Sequence, residues 1–68
     1  MEIFTERFRE AIVASGKTQT QIAKEVGVAK QCISDFKSGK SYPSIQTLTL
    51  LCKSLDVSSD FLLGLDNY

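Results

Sequence analysis

The chain has 68 residues, a length at which only about 60% of the surface of the unfolded chain can be buried, so the sequence predicts one small domain over residues 1–68. Its 43% hydrophobic and 24% charged residues exclude the composition of a disordered chain. The apolar runs are far shorter than the ~18 residues of a membrane span, and the first residues lack a signal-peptide pattern, so we expect a soluble, cytoplasmic protein without a membrane partner.

The formal net charge is zero, but the charges are unevenly distributed along the chain. Residues 1–15 carry a net charge of −1 and residues 42–68 a net charge of −2, whereas residues 16–41 carry +3. The charged residues of this middle segment are Lys17, Lys24, Lys30, Lys37 and Lys40 against Glu25 and Asp35. The middle of the chain is therefore the predicted positive face.

The sequence contains no histidine, the residue that most often serves as a general base near neutral pH and as a metal ligand. Two cysteines, Cys32 and Cys52, have no further residues with zinc-ligand spacing, and we expect them to be reduced, small hydrophobic side chains, with a disulfide as the alternative. We therefore expect no enzymatic activity, no cofactor, no metal and no small-molecule ligand.

Apolar residues recur at helical spacing along the whole chain, and no segment keeps the alternation of a strand, so the sequence predicts an all-α fold. Glycines and capping residues divide it into five short helices. Their predicted bounds are 3–15, 19–26, 29–38, 45–55 and 59–63.

The predicted helices have apolar faces and recognisable ends. Thr18 to Gln21 matches a capping box, in which the Thr18 hydroxyl accepts from the Gln21 amide and the Gln21 side chain reaches back. Ser44 and Ser58 are predicted to cap the last two helices. The first helix has a core-facing stripe of Phe4, Phe8, Ala11 and Ile12, and the fourth has a predicted inner face of Ile45, Leu48, Leu51, Cys52 and Leu55.

Residues 19–36, with the sequence QTQIAKEVGVAKQCISDF, resemble the helix-turn-helix of phage repressors and Cro-type regulators. Two short helices that cross closely need a small residue at Ala23 and a glycine at Gly27, where bulk would push them apart and where the turn requires a positive φ. The side chains expected to fill the angle between the helices are Ile22, Val26, Ile33 and Phe36.

The resemblance extends through residues 37–40, 43–44, 56–58 and 60–64, and so covers nearly the whole chain. It implies a compact five-helix, repressor-like DNA-binding domain whose helix-turn-helix, at about 19–38, is formed by helices 2 and 3. The implied function is that of a sequence-specific transcriptional regulator, a repressor that binds double-stranded operator DNA through the major groove.

The outer face of the third helix carries the candidate base contacts, which are Lys30, Gln31, Ser34 and Asp35. This face has donors and acceptors without bulk, as a helix in the major groove requires. Lys30 can donate to guanine, Gln31 can pair with adenine, and Asp35 can accept from cytosine. An ordinary solvated helix face is the alternative.

Phosphate contacts orient a protein on DNA without specifying the bases, and we expect them beside this face. The resemblance implies a phosphate contact for Gln19, at the start of the second helix. The other candidates are Lys37, Lys40, Ser41, Tyr42 and Ser44. For the two lysines the alternative is solvated surface charge.

Three positions depart from the family pattern. Ala29 stands where a capping serine or threonine is common, so the third helix lacks about 0.5–2 kcal/mol of N-terminal support. Ile12 and Lys37 stand where many relatives pair an arginine with a glutamate, which leaves an additional positive charge near the predicted DNA side.

A single domain of this size contacts few phosphates, so we expect a symmetric homodimer with recognition helices ~34 Å apart. The candidate dimer surface consists of Leu50, Phe61, Leu65 and Tyr68, and the alternative is that Phe61 and Leu65 complete the monomer core. The alternative function is a helical protein-interaction module, or an antitoxin-like partner, that keeps the fold and uses the region of Leu50 and Phe61 to bind a protein.

Overall fold

The computed structural model describes residues 2–66, which form five α-helices and no strand. The helices are α1 (Glu2–Ser15), α2 (Gln19–Val26), α3 (Lys30–Ser38), α4 (Ile45–Leu55) and α5 (Ser59–Leu63). The predicted all-α fold is confirmed, and each helix begins and ends within one residue of its predicted bounds. None of the helices in this range is both long and apolar enough to cross a membrane.

The core lies where the five helices meet, with α1 packed against α3 and α5, and α2 packed against α3 and α4. Phe8 is completely buried, stacks on Phe4 with ring centres 5.5 Å apart, and meets the edge of Phe36 at 6.2 Å. All five helices contribute buried apolar side chains: Phe4, Phe8, Ala11, Ile12, Ile22, Ala23, Val26, Ile33, Phe36, Leu51, Leu55 and Leu62. The predicted stripe of α1 is therefore confirmed.

One residue of the predicted inner face of α4 points away from the core. Leu51 and Leu55 are buried and Leu48 and Cys52 are half-buried, but Ile45 is 85% exposed. The prediction for Ile45 is wrong because helical spacing specifies only the direction of a side chain around the axis. Ile45 is the first residue of α4, and no neighbouring helix covers it at that level.

The turn between α2 and α3 depends on the backbone of Gly27. Its φ is 83°, in the left-handed region, and its N–H donates to the Ala23 carbonyl at 2.8 Å. A Cβ atom added at Gly27 would meet nothing within 4 Å, so the expectation that bulk here pushes the helices apart is wrong. At position 27, glycine is favoured by the positive φ alone. The small side chain of Ala23 is 5% exposed and lies between the helices.

The predicted helix caps are confirmed in part. The Thr18 hydroxyl accepts from the Gln21 amide at 3.1 Å, and Ser44 and Ser58 cap α4 and α5 in the same way. The Gln21 side chain does not reach back to Thr18 as predicted, because it donates to Glu25 at 3.4 Å, a charged acceptor one turn further along α2.

Both cysteines are free thiols, as the sequence predicted, but they are half-buried against the core rather than fully buried in it. Burial raises the pKa of the Cys52 thiol above its ordinary value, so the neutral form of this side chain is favoured.

Two polar clusters join helices that are distant in sequence. Lys17 Nζ donates to Glu25 Oε1 at 2.7 Å and to the Ser54 carbonyl at 2.6 Å, and Ser54 Oγ donates to the same Glu25 oxygen at 2.7 Å. This cluster ties the α1–α2 loop to α2 and α4. At the other end, Arg7 donates to the Phe61 carbonyl at 2.9 Å and lies over the Phe61 ring at 4.6 Å, which ties α1 to α5.

Glu25→Gln should weaken the fold at neutral pH and reduce the loss of stability in acid. Hydrogen bonds from Lys17 and then Ser54 lower the pKa of Glu25 below 4.5. The stability that the carboxylate supplies is therefore fully present above that pH and is lost as the pH falls through the lowered pKa. Urea unfolding measured from about pH 7 to about pH 2 should give curves for the wild type and Glu25→Gln that converge in acid.

Two further variants test the cause of this pH dependence. Lys17→Met removes the stronger donor and should reduce the pH dependence more than Ser54→Ala. Parallel curves for the wild type and Glu25→Gln would contradict the role of the carboxylate.

Candidate nucleic-acid interface

α3 is oriented by two buried side chains. Ile33 is fully buried and Phe36 is 7% exposed, so the opposite face of the helix is directed to solvent. Lys30 and Gln31, in the first turn, are exposed, and Ser34 is half-buried. The start of α3 thus stands clear of the rest of the chain and can enter a groove.

The predicted base contacts Gln31 and Asp35 form a pair. Gln31 Nε2 donates to Asp35 Oδ1 at 2.9 Å across one turn of α3. This bond uses one of the two N–H groups of the amide, and the second N–H and the amide oxygen are the pair that can recognise an adenine edge. Asp35, which is half-buried, orients Gln31 in this arrangement.

A hydrogen-bond chain joins α2 to α3 at three of the predicted site residues. Gln19 Nε2 donates to Ser34 Oγ at 2.8 Å, and Lys37 Nζ donates to Gln19 Oε1 at 2.9 Å. Gln19 therefore connects the middle of α3 to its last turn. The sequence predicts separate contacts for these residues, because Ser34 and Lys37 are 15 and 18 positions from Gln19 and no spacing rule relates them.

Arg9 joins this group from α1. Its Nε donates to the carbonyl oxygen of Lys37 at 2.7 Å, and its side chain is exposed. One depression on the surface is lined by Arg9, Gln19, Ser34, Lys37 and Ser38, and we refer to it as the Arg9–Lys37 depression. Arg9 is not among the predicted site residues, because the apolar stripe of α1 indicates only a helix that packs on the core. The sequence does contain a signal for this role of Arg9. The arginine that many relatives have at position 12 is replaced by isoleucine, and Arg9 lies one turn earlier in α1.

The loop after α3 carries the other predicted phosphate contacts. Lys40 and Ser41 are exposed. Their backbone amides donate to the Asp35 carbonyl at 3.0 and 3.5 Å, so these residues can donate to a ligand only through their side chains. Tyr42 is 46% exposed, with its ring edge against Phe4. Ser44 is exposed, but its hydroxyl is engaged at the start of α4, where it accepts from the Thr47 amide at 3.2 Å.

The candidate dimer residues have different environments. Leu50 is 37% exposed and Leu65 is 58% exposed, whereas Phe61 is half-buried against the core beneath Arg7. Tyr68 lies outside the described residues. Of the described candidates, Leu50 and Leu65 therefore expose apolar surface, whereas Phe61 is largely covered.

The family-specific departures are visible in the structure. Ala29 occupies the N-cap of α3 and makes no side-chain capping bond, as the sequence predicted. Ile12 is 8% exposed and belongs to the core, and Lys37 directs its ammonium to Gln19.

A helix-turn-helix family model matches residues 8–62, from the middle of α1 almost to the end of α5. The match includes α2, the Gly27 turn and α3, which have the relative placement described above. The chain belongs to this helix-turn-helix family. The resemblance to phage repressors and Cro-type regulators is thereby confirmed, and α2 and α3 form its helix-turn-helix.

Three proteins named as transcriptional regulators are similar to this chain in sequence. The chain is 36% identical over 61 residues to an uncharacterised transcriptional regulator, YonR, derived from the SPbeta prophage of Bacillus subtilis. It is 32% identical over 59 residues to the cryptic phage CTXphi transcriptional repressor RstR of Vibrio cholerae. It is 33% identical over 61 residues to the transcriptional activator BcrR of Enterococcus faecalis.

These matches cover most of this chain and a smaller share of the similar proteins. They include 90%, 87% and 90% of the chain, and 56%, 53% and 30% of YonR, RstR and BcrR respectively. The chain thus spans about half the length of YonR and RstR. No solved structure gives a significant match to it.

Ala29→Thr should stabilise the domain by about 0.5–2 kcal/mol relative to Ala29→Val. Position 29 has the extended backbone of an N-cap, with φ −70° and ψ 150°, but no side-chain acceptor for the free amides of the first turn. Threonine and valine have nearly the same shape, so the difference between the two variants isolates the hydroxyl group. Urea unfolding midpoints measure it, and equal midpoints would contradict the capping account.

Proposed function

We propose that this chain is a sequence-specific, DNA-binding transcriptional regulator, and that α3 enters the major groove of double-stranded DNA. The observation that carries this proposal is the exposure of Lys30 and Gln31 in the first turn of a helix whose other face is anchored by the buried Ile33 and Phe36. In helix-turn-helix proteins the N-terminal residues of the recognition helix contact base edges. Membership of the family supports the same function.

In this proposal the site residues divide by position along α3. Lys30 and Gln31 contact bases, and Asp35 orients Gln31. Ser34 lies next to the base edges in the groove and accepts a hydrogen bond from Gln19. The phosphate contacts lie around this face and come from the side chains of Gln19, Lys37, Lys40, Ser41 and Tyr42, and from the start of α4 at Ser44. Phosphate contacts fix the register in which the bases are recognised.

The electrostatics of this face support a polyanionic ligand in spite of the zero net charge. Among residues 2–66, the side-chain ion pairs are Arg7 with Asp66 and Lys17 with Glu25, and neither includes a residue of α3. The cations Lys30, Lys37 and Lys40 have no carboxylate oxygen within 4 Å in that range. Their charge is therefore available to displace the counterions of DNA.

The proposed mode of regulation is repression by occupation of an operator. RstR is named as a repressor and BcrR as an activator, so the proteins similar to this chain include both signs of regulation. A domain that occupies its site through α3 blocks access to the same DNA, which makes repression the simplest outcome.

Selection of bound duplexes from a random pool tests the proposed function directly. The expected result is an enriched, pseudo-palindromic sequence with half-sites about one helical turn, ~34 Å, apart. Failure to enrich any sequence would contradict the proposal and would favour the protein-interaction module, whose binding surface would then be sought around Leu50 and Leu65.

Gln31→Ala and Lys40→Ala should have different effects on DNA binding. Gln31→Ala should lower the affinity for the selected operator by about 1–3 kcal/mol and relax the base preference at one position, because it removes a base contact. Lys40→Ala should weaken binding to all duplexes similarly and reduce the salt slope by about 1, because it removes a phosphate contact. Fluorescence anisotropy with operator and scrambled duplexes measures both, and an identical pattern for the two variants would contradict the assignment.

We expect a homodimer on the operator, with Leu50 and Leu65 contributing its apolar contact. One subunit that neutralises about three phosphates gives a salt slope of only about −2.7, and a second copy doubles it. Sedimentation of the protein with and without operator should show two chains on each duplex. Leu65→Glu should oppose pairing by placing a charge at a side chain that is 58% exposed, with little effect on the monomer fold. Single chains alone on the operator would remove the dimer proposal.

A further inference from the structure

The strongest unassigned feature is the arginine that α1 places beside α3. We propose that Arg9 binds a DNA backbone phosphate and so makes α1 part of the interface, an inference that rests on the proposed DNA-binding function. The expected occupant is one phosphate of the strand that passes the last turn of α3.

The geometry leaves most of the Arg9 guanidinium available. Its Nε, which carries one N–H, donates to the Lys37 carbonyl at 2.7 Å. The two terminal nitrogens carry four further N–H groups in a planar fork that matches two phosphate oxygens. Because the Nε bond fixes the side chain against α3, the fork has a defined position on an exposed surface.

The charges around Arg9 select the side from which an anion approaches. The Arg9–Lys37 depression is lined by two cations, Arg9 and Lys37, and by the neutral side chains of Gln19, Ser34 and Ser38, with no carboxylate in its lining. On the other side of Arg9, Glu2 and Glu6 line a separate depression near Tyr42, and that side repels a polyanion. A phosphate is therefore favoured on the Lys37 side, beside the proposed recognition helix.

The position along α3 indicates a phosphate rather than a base. Arg9 contacts the carbonyl of Lys37, in the last turn, which is seven residues and about 10 Å along the axis from Lys30. A recognition helix contacts bases through its N-terminal residues, so its C-terminal end lies toward the backbone of the duplex. Arg9 would therefore affect affinity without affecting base preference.

The alternative role for Arg9 is purely structural. A cation near the C-terminus of a helix is favourable, and the Lys37 carbonyl is one of those left without an intrahelical donor. The two roles are distinguishable, because a structural cap changes the free energy of unfolding, whereas a phosphate contact changes the dependence of DNA affinity on salt.

The test compares Arg9→Gln and Arg9→Lys with the matched control Lys53→Gln, which removes the same charge from an exposed position on α4. Affinities for the selected operator and for a scrambled duplex are measured by fluorescence anisotropy between about 0.05 and 0.3 M salt, with circular dichroism to confirm that each variant is folded. For each bound subunit, Arg9→Gln should weaken binding to both duplexes by the same factor, about eightfold at 0.1 M salt, and flatten the salt slope by about 0.9. Two subunits on one duplex should therefore show a loss of about 60-fold and a slope change of about 1.8. Arg9→Lys, which keeps the charge, should retain most of the slope.

Each other outcome has a definite meaning. If Arg9→Gln and Lys53→Gln have the same affinity and slope while the wild type binds operator, Arg9 only caps α3; the inference is overturned and the proposed function stands. If Arg9→Gln weakens operator binding alone, Arg9 contacts a base and the phosphate assignment is wrong. If the slope of Arg9→Lys falls as far as that of Arg9→Gln, the phosphate contact requires the guanidinium fork that the Nε bond holds in place, and a positive charge alone does not make it; the inference then stands. If the wild type binds no duplex, the proposed function fails and this inference fails with it.

Discussion

The structure depends on the packing of α3 against α2 and α1. Ile22 and Ile33 are fully buried, Ala23 is nearly so, and Gly27 takes the left-handed backbone that turns the chain between the two helices. Loss of one such apolar side chain costs about 2–5 kcal/mol, a large part of the stability of so small a domain. The same packing that stabilises the fold also determines which face of α3 is presented to solvent, so stability and the proposed recognition have one physical origin.

Around that packing, polar contacts hold the exposed side chains in defined places. Gln19 bridges Ser34 and Lys37, Arg9 holds the carbonyl of Lys37, and Gln31 is bonded to Asp35. A long side chain loses conformational entropy when it binds a ligand, and one that is already positioned loses less. The network therefore holds the side chains on the surface of α3 in position before a ligand binds. The first turn of α3, by contrast, lacks a side-chain cap, because the N-cap residue is Ala29.

Net charge proved a poor guide to the character of the surface. The chain is neutral overall, yet Glu25 is paired with Lys17 and Ser54, and Asp66 is paired with Arg7, and none of these residues belongs to α3. The cations of α3 and its following loop have no such neighbours among residues 2–66. A local excess of positive charge, rather than a high total, is what a duplex would meet at this face.

The sequence by itself determined the all-α fold, the helix bounds and the outward face of α3, because these depend on interactions within about four residues. Thr18, Ser44 and Ser58 cap the helices that follow them, and the spacing of Ile33 and Phe36 already implied that Lys30 and Gln31 face outward. Only the tertiary structure decided that Ile45 is exposed and that Gln19, Ser34 and Lys37 form one chain. It also brought Arg9 to Lys37, 28 positions away. Such contacts depend on the angles and offsets between packed helices, which the side chains of the whole core set together and which no local pattern encodes.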